Sequence, residues 1–244
     1  MDINRLIGSV VGQASSGVSQ AAGAVKKGGM PTGLLGGVAA GGLVALLMSN
    51  KKARKMGGKA LKYGGLAAVG GLAYKAWSDH KASQQAVATP PPQPQSTSND
   101  AAFNVAPPPA NSAFDISQQR DRQGDDLRLT LIRAMISSAK SDGHIDSAEN
   151  AVIQQQIQSM DLAADEKVFL FDQLGAPSDP IAIARLSNSD EQAAEIYVAS
   201  ALAVDPDTPE EKRYLDRLAD ALLLPTDLRQ QLDMQASRVV DVVA

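Results

Sequence analysis

Two acidic turns contain the residues of this sequence whose types and spacing could support chemistry. Each turn follows an apolar stretch and precedes a new helix-forming stretch. Oxygen-only clusters suit hard cations such as calcium, and suit magnesium less well. Several carboxylates would converge if both turns lay at the same end of a helical bundle. The acidic side chains are Asp142, Asp146 and Glu149 in the first turn, and Asp205, Asp207, Glu210 and Glu211 in the second.

The same turns contain the residues that begin helices. Residues 146–149 form a D-x-x-E start, and residues 208–211 form a T-x-x-E capping box with proline at the first helical position. Asp142 and Asp205 stand before glycine and proline, where they are ordinary turn residues. Helix capping and metal binding therefore both stay open as explanations of these turns.

An EF-hand can be rejected for the first turn. The run DGHIDSAE matches the last eight positions of an EF-hand loop and places Glu149 as the bidentate ligand. The first half fails, because Ser138 and Lys140 stand where acidic ligands belong and a lysine repels a cation. His144 lies beside two aspartates, but a single turn histidine is more often neither a ligand nor a base. We expect His80 to have no partner.

Charge divides the chain into a basic head and an acidic body. Up to Thr89 there are eleven lysines and arginines against two aspartates, and from Pro90 onward there are twelve against twenty-five acidic residues. The absence of cysteine excludes disulfides and thiolate chemistry. An aromatic content of 4% is too low for base-stacking surfaces, so we expect no nucleic-acid partner. No nucleophile–base spacing or phosphate-binding glycine loop is visible, and we expect no enzyme activity.

An uncharged stretch in the head predicts a membrane helix over residues 30–50. Nineteen residues, PTGLLGGVAAGGLVALLMS, at ~1.5 Å each span roughly 28 Å, close to the bilayer's hydrocarbon thickness of about 30 Å. A small residue recurs every fourth position, which lets helices approach closely in lipid. Self-association along this stripe is one hypothesis and chance spacing in a glycine-rich stretch is the other. The glycines of the stripe are Gly29, Gly33, Gly37 and Gly41.

The basic cluster from Lys51 to Lys62 follows this stretch directly. Such a cluster after an apolar span faces anionic lipid headgroups, and the positive-inside rule then places the rest of the chain in the cytoplasm. A second apolar run, from Tyr63 to Tyr74, is too short to span alone, and we interpret Tyr63, Tyr74 and Trp77 as interfacial aromatics. Two spans, with the body outside, are the alternative topology.

The remaining chain divides into a tether and a helical body. Five segments are predicted: an N-terminal segment at 1–29, the membrane helix at 30–50, a basic, glycine-rich segment at 51–77, a disordered linker at 78–123 and a helical domain at 124–244. Proline- and serine-rich composition predicts the linker. Helical periodicity predicts about seven helices in the body, and no strand pattern is visible. The fold class is therefore all-α.

The body is a duplication of one helix–acidic turn–helix unit, and the two units carry a family resemblance. ISSAKSDGHIDSAE and VDPDTPEEKRYLDRLADALLL resemble the TerB-like (tellurite-resistance B) helical domain, and the whole chain is similar to YebE-type bacterial inner-membrane proteins. The resemblance implies a helical bundle and, in some members, a cation site and a role in membrane-associated stress or metal sensing. Carried over, the ligands are Asp142, Asp146, Glu149, Asp205, Asp207 and Glu211.

Three functions compete at this point. The first is a membrane-anchored helical interaction or sensor module in the bacterial inner membrane, single-pass, which binds a divalent cation, calcium being favoured. The second is a glycine-striped membrane oligomer for which the body is a cap. The third is a metal-dependent hydrolase, against which the absence of an evident nucleophile argues. The sequence names no protein partner and no pathway.

Overall fold

The computed structural model describes residues 1–12, 66–86, 106–143, 147–160, 162–204, 206 and 208–241. These residues form nine α-helices and no strand, so the all-α prediction is confirmed for them. The helices are α1 Ile3–Ile7, α2 Leu66–Ala86, α3 Leu127–Ala139, α4 Ser147–Ser159, α5 Ala164–Gly175, α6 Pro180–Ala184, α7 Asp190–Leu202, α8 Pro209–Ala221 and α9 Thr226–Asp241.

The predicted membrane helix at 30–50, its glycine stripe and the basic cluster from Lys51 to Lys62 all lie outside the described residues. Within the described ranges, every helix is too short or too polar to cross a bilayer. The seven helices predicted after residue 124 correspond to α3 through α9. Short polar side chains cap the starts of these helices. Asp126 accepts a hydrogen bond from the Arg128 N–H at 3.0 Å at the start of α3, and Ser189 accepts one from the Gln192 N–H at 3.2 Å at the start of α7.

Helix α7 lies at the centre of the bundle. Ten consecutive residues, from Gln192 to Ala201, are buried, so all its faces are covered. It packs against α2, α3, α8 and α9. Its alanines leave room for neighbouring helices to approach closely, while Ile196 and Tyr197 supply volume. The Tyr197 hydroxyl donates a 2.7 Å hydrogen bond to Asp233 of α9, which satisfies its buried polar end.

Helix α2 differs most from the expectation drawn from sequence. The predicted interfacial run ending at Tyr74 becomes, from Leu66 onward, the first half of a bundle helix packed against α7 and α9. One face is buried in protein, and it consists of Leu66, Val69, Leu72, Ala73 and Ala76. Instead of marking a lipid interface, the rings of Tyr74 and Trp77 meet Phe114 edge-on, at centroid distances of 5.6 and 6.0 Å.

The predicted disordered linker at 78–123 differs from the structure at both of its ends. Residues 78–86 complete α2, and residues 106–123 form a series of turns against the bundle. Phe114 and Ile116 anchor these turns, with 4% and 8% of their surfaces exposed. Composition predicted the linker because its prolines and polar residues outnumber these two apolar anchors, but two anchors are enough to fix a short segment on a core that already exists.

His80 corrects a second expectation. It was expected to have no partner, yet its Nδ1 lies 3.0 Å from the Asp227 carboxylate at the start of α9. Its Nε2 lies 2.9 Å from the Gln84 side-chain amide. The expectation was wrong because Asp227 is 147 positions away in sequence, and only the packing of α2 on α9 brings the two together.

The N-terminal segment is tied to the body through one buried carboxylate. Glu166 of α5 is fully buried and accepts hydrogen bonds from Arg5 Nε and Nη2, both at 3.1 Å. It also accepts the Asp2 N–H at 2.6 Å and the Ala163 N–H at 2.8 Å. Behind these contacts Leu6 and Val10 are buried in the core, so segments at both ends of the chain contribute to one bundle.

The Phe114 ring gives a direct test of this packing. Truncation in Phe114→Ala removes the ring between Tyr74 and Trp77 and should lower the free energy of unfolding by about 3 kcal/mol. Chemical denaturation of the full chain measures the loss. Val168→Ala is the matched control, since Val168 is 56% exposed and its truncation should change stability by less than about 0.5 kcal/mol. Equal effects of the two substitutions would contradict the docked position of the 106–123 segment.

Candidate functional site: the paired acidic turns

The C-terminal ends of α3 and α7 lie side by side. The Ser138 hydroxyl of α3 donates a 2.9 Å hydrogen bond to the backbone carbonyl of Ser200 in α7. Each of these residues stands a few positions before an acidic turn, at Asp142 and at Asp205. The two turns therefore leave the bundle from neighbouring helix ends, as the duplication predicts.

The described residues contain only part of the predicted ligand set. Asp142 lies in the turn after α3 and is partly exposed, and Glu211 lies in the first turn of α8. Gly143 has φ of +69°, a left-handed conformation that glycine adopts without strain. The predicted ligands Asp146, Asp205 and Asp207, the side chain of Glu149 and the whole of His144 lie outside the described residues. Within the described part, no three acidic or histidine side chains are grouped to hold a metal ion.

Helix capping is confirmed for the second turn. The Thr208 hydroxyl accepts the Glu211 N–H at 3.2 Å, and the Glu211 carboxylate accepts the Thr208 N–H at 3.2 Å. This is the reciprocal arrangement that the T-x-x-E spacing predicts, with Pro209 at the first helical position. Glu211 thus has a structural function at the start of α8.

Three hydroxyl groups are buried where α3, α7 and α8 meet, next to the origins of both turns. Ser137, Ser200 and Tyr214 are at most 8% exposed. Burial raises the pKa of Tyr214 to about 12, and the two serine hydroxyls close to its oxygen oppose that rise. None of the three hydroxyls completes a hydrogen bond of standard geometry with another described residue. Buried hydroxyl groups without partners are unusual, which makes this cluster a polar region inside an otherwise apolar core.

Lys140 explains why the first turn departs from a calcium loop. Its ammonium group donates hydrogen bonds to the backbone carbonyls of Gln173, Leu174 and Ala176, at the C-terminal end of α5. Those carbonyls carry the negative end of the helix dipole, so the lysine caps α5. Burial lowers the pKa of Lys140. A cavity of 190 Å³ adjoins this contact, lined by Lys140, Gly143, Asn150, Ile153 and Leu174.

Glu195 is a buried acidic residue that the sequence analysis did not single out. It lies on α7 with none of its surface exposed, and its Oε2 accepts a hydrogen bond from the Gln119 side-chain amide at 3.3 Å. Burial, opposed by the Gln119 hydrogen bond and aided by the nearby carboxylates of Glu191 and Asp115, raises the pKa of Glu195 to about 8. The sequence did carry a signal of a buried charge, since Glu195 is the single charged residue between Gln192 and Val204 in a largely apolar stretch.

A groove lies between α2, the start of α7 and the corner joining α8 to α9. It encloses 260 Å³, and Trp77, Leu222 and Leu228 line it together with the His80 imidazole. Lys81 lies over the Trp77 ring at 5.2 Å. Leu223, at the corner, has φ of +56° and is 86% exposed, which is an uncommon position for leucine.

These features define the class of protein: an all-helical bundle built on two helix–turn–helix units, with acidic turns leaving from neighbouring helix ends. The chain belongs to the family described as "Protein of unknown function (DUF533)", whose model matches residues 33–236. It is 31% identical over 103 residues to the "Uncharacterized protein in ampR 5'region" of Yersinia enterocolitica, covering 42% of this chain and 74% of that protein. No solved structure matches the chain.

Replacing the lysine beside the first turn tests its capping function. Lys140→Met keeps the aliphatic stem but removes the donor from three carbonyls, so we expect a loss of about 1–3 kcal/mol in the free energy of unfolding. Lys167→Met is the matched control, because Lys167 donates only to the Gln158 carbonyl in an exposed contact. Thermal denaturation compares the two variants. A Lys140→Met protein as stable as Lys167→Met would show that the α5 cap contributes nothing.

Proposed function

We propose that this chain is a membrane-attached helical interaction module of the bacterial inner membrane, cation-responsive through its paired acidic turns and without catalytic activity of its own. The observation that carries the proposal is the hydrogen bond between Ser138 and the Ser200 carbonyl, which joins the origins of the two turns. The finer relationship to YebE-type and TerB-like proteins is part of the same proposal. It rests on the two acidic motifs and on the glycine-rich head.

Membrane attachment is supported by the extent of the family match. The matched region begins at residue 33, so it includes most of the uncharged stretch at 30–50 and the whole cluster from Lys51 to Lys62, together with the helical body. Head and body are therefore parts of one family sequence. An uncharged stretch of bilayer length with a basic flank is what a single span with a cytoplasmic body requires. The glycine stripe on that stretch suits packing between copies of the chain.

Cation binding is supported by the neighbouring origins of the two turns and by the polar groups that are buried next to them. The proposed ligands are Asp142, Asp146, Glu149, Asp205, Asp207 and Glu211, with calcium as the favoured ion. Carboxylates that leave from adjacent helix ends repel one another when no cation is present. The buried hydroxyls of Ser137, Ser200 and Tyr214 make this end of the bundle polar as well.

Deletion of residues 30–50 tests the attachment. The full chain should sediment with the membrane fraction, and the deletion should release it, because no other uncharged stretch of similar length is as apolar. Fractionation of cells that express each form, with detection of a C-terminal tag, measures the partition. The control deletes residues 88–100 from the proline-rich segment and should leave the protein in the membrane fraction. Retention of the 30–50 deletion in membranes would contradict the assigned span.

Calcium titration of the full chain tests the acidic turns separately. At a hundredfold excess over Kd, calcium should stabilise the protein by about 2.7 kcal/mol relative to chelator, seen as a rise in Tm. Asp142→Asn and Asp205→Asn should each lose most of that gain. Thr208→Ala is the control for capping: it should cost about 1 kcal/mol with calcium and with chelator, and it should keep the calcium shift. If calcium, magnesium and manganese all leave the Tm of the wild-type protein unchanged, the acidic turns bind none of these ions and helix capping alone explains their residues.

A further inference from the structure

Glu195 occupies a position that a carboxylate normally avoids. Its side chain is fully buried between α7, α2 and the segment 106–126. The Oε2 atom has one polar contact, the 3.3 Å hydrogen bond from Gln119. The Oε1 atom has no hydrogen-bond partner among the described residues. An ionised carboxylate with so few donors is strongly disfavoured in a protein interior, whereas the protonated acid is neutral and tolerated.

Helix α2 is the element that covers this carboxyl group. A Cβ built on Gly70 would lie 3.6 Å from Glu195 Oε1 and 2.7 Å from the Phe114 carbonyl oxygen. The 2.7 Å distance is too short for a real Cβ, so glycine is what allows the α2 backbone to approach the 106–126 segment this closely. The 3.6 Å distance is an ordinary contact and places α2 directly against the carboxyl group. The docking of α2 therefore completes the burial of Glu195.

No cation faces the carboxyl group from the surrounding described elements. The charges that act on it are Glu191 on α7 and Asp115 in the 106–126 segment, and both are negative. Several charged groups on the packed elements have partners elsewhere: Arg120 is near Asp126 in the 106–126 segment, Lys75 pairs with Asp79 and Lys81 with Trp77 on α2, His80 with Asp227 between α2 and α9, Arg128 with Asp126 and Arg133 with Asp125 at α3, and Arg229 with Asp216 and Asp233 between α8 and α9.

We propose that Glu195 is a proton-controlled contact: the protonated side chain permits α2 to dock on α7, and its ionisation loosens α2 together with the Phe114 turn. Ionisation brings a negative charge beneath Gly70, where the closed contact offers it no additional donor. Opening of α2 admits water to the carboxylate. The inference goes beyond the proposed function, because it concerns the packing of α2 on α7 and holds whether or not residues 30–50 cross a membrane.

The direction of the pH dependence follows from linkage. Burial raises the pKa of Glu195 to about 8 when α2 is docked, and the carboxyl group returns to an ordinary value when α2 is open. The docked state therefore binds more protons than the open state between those two values. The contribution of Glu195 to the stability of the docked state is fully present below the ordinary carboxyl range. It is lost progressively as the pH rises toward 8.

Trp77 is the natural reporter for this change. It is the single tryptophan of the chain, it lies on α2, and its ring centroid is 6.0 Å from that of Phe114. Emission maximum and acrylamide quenching of the purified full chain are measured between about pH 5 and about pH 9, a range that starts above the ordinary glutamate pKa and ends above the raised one. In the wild type, emission should shift to longer wavelength and quenching should increase at least twofold across this range.

Glu195→Gln is the deciding variant, since it keeps the shape of the side chain and removes its charge. It should hold the docked emission and the low quenching throughout. His80→Gln should keep the wild-type transition, which separates Glu195 from the other ionisable group at the α2–α9 contact. An unchanged transition in Glu195→Gln, its loss in His80→Gln, or a flat wild-type profile would each overturn the proposal.

A second measurement keeps the test decisive if Glu195→Gln does not fold. Amide hydrogen exchange of the wild-type chain, corrected for intrinsic rates, should show that protection of residues 66–86 falls with pH while protection of α3 stays constant. Gly70→Ala provides the reference for an undocked helix, because its Cβ meets the Phe114 carbonyl. Its Trp77 should be exposed already at about pH 5. Constant protection of residues 66–86 across the range would overturn the proposal.

Discussion

The complete burial of α7 is the constraint on which the rest of the bundle depends. A helix that is apolar on all sides must be covered on all sides, and α2, α3, α8 and α9 provide that cover. Because α2 and α9 come from distant parts of the chain, the tertiary structure brings the head's last helix onto the body. The same constraint buries two polar side chains of α7. Glu195 accepts one hydrogen bond from Gln119, and the Tyr197 hydroxyl donates to Asp233 and accepts from Arg229.

Capping and cation binding are compatible explanations of the acidic turns. Glu211 accepts the Thr208 N–H through one carboxylate oxygen, and a carboxylate offers about four acceptor sites in all. A capping residue can therefore also be a ligand if a cation lies on the far side of the turn. The hydrogen bond from Ser138 to Ser200 is relevant to cation binding and not to capping, because each cap forms within its own turn and needs no contact with the other turn. The two functions differ in their response to added calcium.

Local signals in the sequence were sufficient for the body from Leu127 onward. Apolar periodicity, caps and proline positions act within one or two turns, so α3 through α9 could be predicted close to their observed ends. The position of α2 could not be predicted in this way. Its glycine-rich, weakly amphipathic sequence is equally suited to a lipid interface, and only its contacts with α7 and α9 decide between the two. In the second acidic turn, the sequence was enough to identify the Thr208–Glu211 cap. The contacts of Lys140 and of Glu195 could not be identified in this way, because their partners are distant in sequence.

The distance in sequence between α2 and its partners has a consequence for synthesis on the ribosome. Helix α2 ends at Ala86, while α9, against which it packs, ends at Asp241. At ~5–20 residues per second, the apolar face of α2 is made about 8–30 seconds before its last partner exists. During that interval Leu66, Val69 and Leu72 have no core to enter. Any membrane insertion at residues 30–50, or chaperone contact with the apolar face of α2, therefore precedes completion of the bundle.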